Sequence, residues 1–442
     1  MTKNWKMILA LALPSLLAFA TSTLTGTINL IMVGKMGTIA IGAVGAVNII
    51  MYNAWALCSG LGHTINYLVA QGYGAKDMKK AVERTTLALY ICVLVALVTI
   101  SLGLFAPKLL MGIISDSSAV IDAGVPYLRI RFFALAFGAT TFVMQGFLRG
   151  TGDTKTPMYF SLIGNLLMIF FTYTLTYGNL GFPELGLPGA AWGVLIGEAF
   201  SFFGCAYMYF VKRHKTFTTR ILVPVNPAEA RLIAVESGKL GIQEFAMSLA
   251  MFIFTMFVAR ISDTALAANE VALSVMSLGF MPAFAFGATA TILVGQEVGR
   301  NNPEKARRYG TDTAILGTFF LLALGIVEFI FPEQIARIYI DQPEVYKLAA
   351  DLLRISAFLQ LFDGLFNFYG GCLRGLGDTG FLVKASFGLS WIVFIPLAYL
   401  LTFVLHMDSI GSWIGLYTFI TLYGIVVLIR FYRTEWGKLA VK

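Results

Sequence analysis

Charged residues are scarce in this sequence. Only 13% of its 442 residues are Asp, Glu, Lys or Arg, whereas 58% are apolar and the mean hydropathy is +0.78. Soluble domains are about 25% charged and about 45–50% apolar. The composition excludes a water-soluble globular protein, and it also excludes a disordered chain, which needs few apolar residues and many charges. We therefore expect a polytopic integral membrane protein, built from spanning segments of about 20 apolar residues.

Cysteine and histidine are also scarce. The four cysteines lie in apolar stretches without C-x-x-C spacing, and of the three histidines only His63 falls inside a predicted span. We expect no disulfide and no zinc site from such a pattern. The sequence contains no G-x-x-x-x-G-K-[ST], H-E-x-x-H or G-x-S-x-G motif. We therefore predict no bound nucleotide, no cofactor and no enzymatic activity, and we interpret the net charge of +8 as basic loops of a membrane protein rather than a nucleic-acid surface.

Twelve apolar stretches, separated by charged residues or by Gly and Pro, predict twelve transmembrane helices. Their approximate limits are 7–33, 38–72, 85–106, 122–148, 157–178, 188–211, 231–259, 265–296, 310–331, 345–373, 382–405 and 410–431. Pro157 and Pro188 stand where helices begin, and Pro14, Pro282 and Pro396 fall inside spans, where we expect kinks. The predicted fold class is an all-α integral membrane protein.

The sequence matches itself at an offset of 225 residues. The segment L-R-G-x-G-D-T that begins at Leu148 recurs at Leu373, and L-V-A-Q ending at Gln71 recurs as L-V-G-Q ending at Gln296. We predict two six-helix bundles, over residues 1–211 and 231–442, joined by a basic cytoplasmic linker over 212–230. An even number of spans per copy gives both copies the same orientation, which makes this a parallel repeat.

Basic residues predict the orientation of the chain. Most of them lie at the termini and in even-numbered loops, such as the loop that carries Lys76, Lys79 and Lys80. Because basic loops stay in the cytoplasm, both termini are predicted to be cytoplasmic, in a multi-pass monomer of the plasma (inner) membrane. In the two L-R-G segments we expect Gly to end a helix, Asp or Thr to cap the next, and Arg149 and Arg374 to stay at the cytoplasmic surface.

Three carboxylates are predicted near mid-membrane, where a charge is costly and usually functional. They are Glu198 in the sixth span, Glu244 in the seventh and Asp363 in the tenth. Glu244 shares a helical face with Met247 and Met251, and a carboxylate beside adaptable Met side chains suits flat, lipophilic cations. A buried carboxylate can also exchange a proton. The alternative is a neutral, hydrogen-bonded acid that only holds helices together.

The L-R-G-x-G-D segments after the fourth and tenth spans resemble the multidrug and toxic compound extrusion (MATE) transporter family. The segment G-F-P-E-L-G at Gly181 and the segment A-A-N-E-V-A-L at Ala267 are similar to sequences of its NorM-like branch. The resemblance covers essentially the whole chain. It implies two bundles that export organic cations in exchange for H⁺ or Na⁺.

The resemblance also implies site residues in the C-terminal half. Asp363 stands eleven residues before the Arg of the second L-R-G segment, as the family's tenth-helix Asp does. The seventh-helix Glu of the NorM-like branch falls at Met247, with Glu244 one turn earlier on the same face. Asp363 and Glu244 are therefore the implied carboxylates for a coupling proton or Na⁺.

In the N-terminal half the implied acids are missing. The family's first-helix Asp corresponds to Asn29, and a second acid found in related branches would follow Asn165 by four residues, where Ile169 stands. Glu198 is the only embedded carboxylate predicted in this half, and we assign it to coupling as well. Asn29 and Asn165, with Met247 and Met251 of the other half, are the predicted lining of the substrate cavity.

The predicted function is secondary efflux of amphipathic, cationic compounds by alternating access. The alternative is a flippase for a lipid-linked sugar or another polyprenyl-linked intermediate. Such flippases carry basic residues in their cavity, whereas embedded basic residues are few here, as at Arg129, Arg131 and Lys239. A channel is disfavoured because two repeated halves are suited to rocking motion.

Overall fold

The computed structural model describes residues 3–438, and every regular element in that range is helical. The long helices are α1 (Lys3–Gly34), α2 (Thr38–Gly74), α3 (Met78–Phe105), α5 (Ser118–Gly150), α6 (Lys155–Tyr177), α7 (Leu187–Tyr207), α9 (Pro227–Ala259), α10 (Asp263–Gly299), α11 (Pro303–Ile330), α13 (Pro343–Leu376) and α16 (Asp408–Arg433). The shorter helices are α4 (Pro107–Ile114), α8 (His214–Phe217), α12 (Pro332–Tyr339), α14 (Thr379–Gly388) and α15 (Ile395–Tyr399).

The all-helical membrane fold predicted from the sequence is confirmed, with each of the twelve predicted spans coinciding with a helix or, for the eleventh, with a helical segment. Eleven helical segments of the described chain are long and apolar enough to cross a membrane. The remaining one, α13, has 34 residues but is interrupted by the polar residues Gln360, Asp363 and Asn367. The sequence did not predict α4 and α12, which follow α3 and α11 and begin at Pro107 and Pro332.

The eleventh span is irregular. α14 and α15 are joined by a π-helical segment, Leu389–Phe394, and a second π-helical segment, Leu400–Val404, follows α15. Pro396 lies in α15. Because proline removes one backbone hydrogen bond and clashes with the preceding turn, wider turns are expected around it. α1 and α10 continue as α-helix through Pro14 and Pro282.

The helix ends repeat at the offset found in the sequence. α2 begins at Thr38 and α10 at Asp263, and they end at Gly74 and Gly299, so both pairs are 225 positions apart. The pair α3 and α11 and the pair α4 and α12 also differ by 225 at both ends. The repeat is therefore a repeat of structure down to individual helix termini.

The chain divides into two compact units. One is Leu17–Gly241, here called the N unit; the residues up to Leu16 together with those from Ile242 onward form the other, here called the C unit. The boundaries fall inside α1 and α9, so each of these helices contributes to both units. Each unit has an apolar core of its own.

Glycines allow the central helices of each unit to approach closely. In the C unit a Cβ added at Gly371 of α13 would lie 2.2 Å from the backbone oxygen of Gly287 of α10. In the N unit, a Cβ added at the corresponding Gly146 of α5 would lie 2.6 Å from the backbone oxygen of Gly62 of α2. No real Cβ tolerates such a distance, so these positions require glycine. Small residues at helix crossings are the usual means of tight packing in a membrane.

We expect Gly371→Ala to destabilise the protein by about 1–3 kcal/mol, because the added methyl group forces α10 and α13 apart. Gly388→Ala is the matched control, since a Cβ there meets no atom within 4 Å. Thermal melting of the purified protein in detergent measures both. An equal melting temperature for the two variants would contradict the close approach of α10 and α13.

Candidate functional site

Asp363 is buried in the C unit without a cationic partner. It lies on α13, its exposed fraction is 7%, and none of the ion pairs among residues 3–438 includes it. The side-chain amide of Asn367, one turn later, donates to Oδ2 of Asp363 at 3.2 Å and to its backbone oxygen at 2.9 Å. A neutral amide is therefore the only hydrogen-bond donor that the described chain offers to this carboxyl group.

A polar face of α13 positions Asp363. Ser356, Gln360, Asp363 and Asn367 are spaced by four, three and four residues, which places them on one side of the helix. Three of them are at most 7% exposed. The face is held against α11, because Gly364 of α13 leaves space for Leu321: an added Cβ would lie 2.3 Å from Leu321 Cδ1.

Glu244 lies on α9 and has a cationic neighbour. Its Oε1 is 3.8 Å from Nη2 of Arg374, and the side chains are 32% and 15% exposed. The expectation that both L-R-G arginines stay at the surface is therefore wrong. Arg149 is only 7% exposed, its guanidinium carbon lies over the Phe142 ring at 5.6 Å from the ring centroid, and its Nη2 donates to the side-chain oxygen of Gln145 at 3.2 Å. The Arg149 side chain turns back along its own helix, α5, where polar and aromatic partners replace water.

The structure does not bring Glu244 to Asp363. Arg374, the neighbour of Glu244, follows Asp363 by eleven residues on α13, which corresponds to about 16 Å along the helix axis. No hydrogen bond or ion pair within residues 3–438 joins the two acids. Met247 and Met251 are partly buried against the core of the C unit. Since spans seven and ten run antiparallel, Met247 lies nearer than Glu244 to the level of Asp363.

The predicted residues of the N unit are separate from one another. The amide of Asn165 donates to the hydroxyls of Thr21 and Ser22, both at 3.3 Å, whereas Asn29 lies two turns further along α1. The side-chain oxygen of Asn29 is buried and has no hydrogen-bond partner among the described residues. The structure therefore places Asn165 against α1 without a contact to Asn29.

Glu198 packs against α5. A Cβ at Gly138 would lie 3.2 Å from Oε2 of Glu198 and 3.5 Å from the Trp55 ring. The arginine nearest along α5, Arg131, donates to the hydroxyl of Tyr127 at 3.1 Å. Glu198 thus takes part in none of the ion pairs of the described chain.

An ion pair and a hydrogen bond connect the first turns of α9 to α3 and α2. Within the N unit, Arg84 of α3 binds Glu229 at 2.6 Å, and the hydroxyl of Tyr67 donates to Glu236 at 2.7 Å. Lys239 pairs with Glu236 at 3.0 Å, as the three-residue spacing predicts. Tyr67 could not be predicted as a partner, because it lies 169 positions before Glu236 in the chain.

Sequence reasoning also missed Glu328 of α11. Its exposed fraction is 4%, although it lies two residues before the end of the helix. A carboxylate so near a helix end is expected to reach the aqueous boundary, so its position in the sequence does not mark it as buried. Among residues 3–438 no group of three or more His, Cys, Asp or Glu could hold a metal ion.

A sequence model of the MatE family matches residues 14–174 and again residues 240–400, one match in each copy of the repeat. The chain belongs to the MatE family. Members of this family are membrane transporters, so the predicted class of transporter rather than enzyme agrees with the family.

Curated relatives of the MatE chain span nearly its whole length. It is 27% identical over 391 residues to "Probable multidrug resistance protein NorM" of Thermotoga maritima, which covers 87% of this chain and 82% of the relative. It is 27% identical over 432 residues to "Multidrug resistance protein MdtK" of Proteus mirabilis, covering 93% and 92%. The predicted NorM-like membership is confirmed.

Solved structures agree with the fold. "Crystal structure of MATE in complex with MaL6" has a TM-score of 0.89 at 22% identity and covers 98% of both chains. "Outward-facing conformation of a multidrug resistance MATE family transporter" has a TM-score of 0.88 at 20% identity and covers 98% of this chain and 96% of that one. At these identities the likeness concerns the fold alone.

We expect Tyr67→Phe to lower the stability of this MatE protein by about 1–3 kcal/mol, because a buried carboxylate loses a hydrogen-bond donor. Tyr67 is fully buried and Glu236 is 3% exposed. Tyr159→Phe is the control, since Tyr159 is 56% exposed. Melting temperatures in detergent decide the matter, and a Tyr67→Phe value equal to that of wild type would show that the hydroxyl of Tyr67 does not support Glu236.

Proposed function

We propose that this chain is a secondary active multidrug efflux transporter that exports amphipathic, cationic compounds by alternating access in exchange for H⁺ or Na⁺. The multidrug resistance names of the curated relatives support the substrate class. With the orientation predicted from the basic residues, the transporter works as a monomer in the plasma (inner) membrane with both termini in the cytoplasm. It uses no nucleotide, because an ion gradient supplies the free energy.

The burial of Asp363 is the observation that carries this proposal. An ionised side chain in the middle of a bilayer costs about 2.5–3.5 kcal/mol or more, so an unpaired carboxylate there calls for a cation. The described chain supplies only the amide of Asn367. A proton, a Na⁺ ion or a cationic substrate can each neutralise Asp363, and only one of them at a time. Such competition is what an exchanger requires.

Glu244 plays a different part in the proposal. It is more exposed than Asp363 and already has Arg374 at 3.8 Å. A cationic substrate that reaches this face of α9 competes with Arg374 for the carboxylate, while Met247 and Met251 contact its apolar surface. Glu244 thus binds the cation on its way to or from Asp363.

The N unit offers fewer ionisable groups for transport than the C unit. Asn29 is neutral at every pH, so the first helix cannot hold a proton or a cation by charge. Glu198 is the acid that we propose for this unit, and Asn29 and Asn165 supply neutral polar groups to the cavity. Coupling therefore depends chiefly on the C unit.

Asp363→Asn tests the coupling role, because it removes the charge and the titratable group with almost no change in volume. We expect normal folding and gradient-driven ethidium efflux reduced to the level of protein-free liposomes. Asp351→Asn is the control on the same helix, since Asp351 is 53% exposed and pairs with Arg354. Efflux is measured in proteoliposomes under an imposed pH or Na⁺ gradient.

Undiminished efflux by Asp363→Asn would refute the coupling role of Asp363. If wild type itself exports no ethidium under either gradient, the proposed substrate class is wrong and the lipid-linked sugar flippase takes its place. The same proteoliposomes, loaded with a fluorescent polyprenyl-linked sugar, then measure flipping directly.

A second test concerns the position of the carboxylate on α9. We expect Glu244→Gln to weaken gradient-driven efflux, and the double change Glu244→Gln with Met247→Glu to restore part of it, because one helical turn moves the acid about 5 Å along the same face. The restored part should vanish when Asp363 is also changed to Asn. Wild-type efflux by Glu244→Gln would assign Glu244 a purely structural role beside Arg374.

A further inference from the structure

Glu328 occupies a built polar site between α11 and α13. The side-chain amide of Gln360 donates to Oε1 of Glu328, and the hydroxyl of Ser356 lies 3.4 Å from Oε2. All three residues are at most 4% exposed. Each oxygen of a carboxylate at the outer end of a span thus has its own neutral donor on the polar face of α13.

No counter-charge accompanies this carboxylate. Within residues 3–438 Glu328 takes part in no ion pair, and the charged residues on the neighbouring helices are engaged elsewhere or exposed. On α12, Glu333 pairs with Arg337, and on α13, Asp351 pairs with Arg354. The charged groups of α10 are Asp263 and Glu270, both exposed at its beginning, and Glu297, which pairs with Arg300 and Lys305 at its far end. Asp363 is the remaining acid on the packed faces.

Ser356 allows Glu328 to exist in two protonation states. The single hydroxyl proton of Ser356 can be donated to Glu328 or to the backbone oxygen of Leu353, which is 3.1 Å away. When Glu328 is ionised, Ser356 donates to it. When Glu328 carries a proton on Oε2, that proton is donated to Ser356 Oγ and the hydroxyl proton of Ser356 turns to Leu353. Both states are fully hydrogen-bonded at Oε2, which distinguishes the site from a simple structural contact.

Gln360 connects this site to Asp363. The two residues are three positions apart on α13, so their side chains are neighbours, and a Gln amide in this relation can donate to an Asp carboxylate. The amide oxygen of Gln360 is buried without a hydrogen-bond partner among the described residues. When Glu328 carries its proton on Oε1 instead, Ser356 still donates to Oε2, and Oε1 donates its proton to the amide oxygen of Gln360 after the amide rotates. The amide nitrogen is then free to donate to Asp363.

We propose that Glu328 is a second proton-binding group of the C unit and that Gln360 couples its protonation to the charge state of Asp363. A proton from the outer aqueous phase binds Glu328, the amide of Gln360 turns, and Asp363 gains a donor in its ionised state. Gln360 is thus a positioning residue. The inference rests on the proposed function in one respect, the coupling role of Asp363.

The test is the dependence of ethidium efflux on external pH, in proteoliposomes containing the full chain. Gln360→Met removes a donor to ionised Glu328 at nearly constant length, so protonation becomes easier and the profile should shift to higher pH. We expect a shift on the order of tenfold in proton concentration, a common size for coupled sites. Glu328→Gln should flatten the profile, and Glu333→Gln, which removes an exposed carboxylate, should leave it unchanged.

Wild-type profiles for both Glu328→Gln and Gln360→Met would overturn the inference, as would a wild-type profile that does not depend on pH. If Glu328→Gln fails to fold, the pH profile of Gln360→Met alone tests the inference: a shift to higher pH supports it, and a wild-type profile overturns it. Asp363→Asn is measured in parallel: loss of efflux there with wild-type profiles in the other variants refutes Glu328 only, whereas normal efflux in Asp363→Asn refutes the proposed function itself.

Discussion

An ionised carboxylate that is shielded from water is stabilised by a nearby positive charge. Among the described residues, no cationic side chain forms an ion pair with Asp363. Several other acids have partners: Glu229 binds Arg84, Glu236 binds Lys239 and Tyr67, and Glu244 lies near Arg374. Glu198 and Glu328 share with Asp363 the lack of an ion pair within residues 3–438. Leaving a buried acid with only an amide donor costs stability, and the cost falls when a cation binds. In the proposed function, ion and substrate binding draw much of their free energy from relieving this missing charge at Asp363.

Helix packing in the C unit keeps Asp363 away from water. Gly371 and Gly364 allow α13 to press against α10 and α11, so the polar face of α13 cannot move away to water without breaking the closest helix contacts of the unit. The N unit repeats the same glycine contact at Gly146. It does not repeat the charge, because Asn29 and Ile169 stand where the family resemblance implies acids. The two repeats thus share the glycine packing but differ in where their embedded acids lie: Asp363 in the C unit and Glu198 in the N unit.

Much of the fold follows from the sequence, because helix length, apolar runs and the 225-residue offset are local or periodic features. The same holds for Asp363, whose acid interrupts an apolar span. Contacts between distant positions could not be foreseen: the approach of Arg374 to Glu244 and the burial of Arg149 depend on side-chain direction, which spacing does not encode. Glu328 was missed for a related reason. Its place near a helix end looks exposed until α13 is seen to cover it.

Competition for Asp363 can be measured most directly in the purified protein. Tetraphenylphosphonium, a lipophilic cation, is titrated by calorimetry at several pH values and Na⁺ concentrations, with wild type and Asp363→Asn side by side. If one buried carboxylate serves both ligands, the apparent Kd of wild type rises in proportion to the coupling ion, about tenfold per tenfold increase in its concentration once the ion site is saturating. The Kd of Asp363→Asn should be insensitive to both ions. A wild-type Kd that changes with neither pH nor Na⁺ would contradict the account.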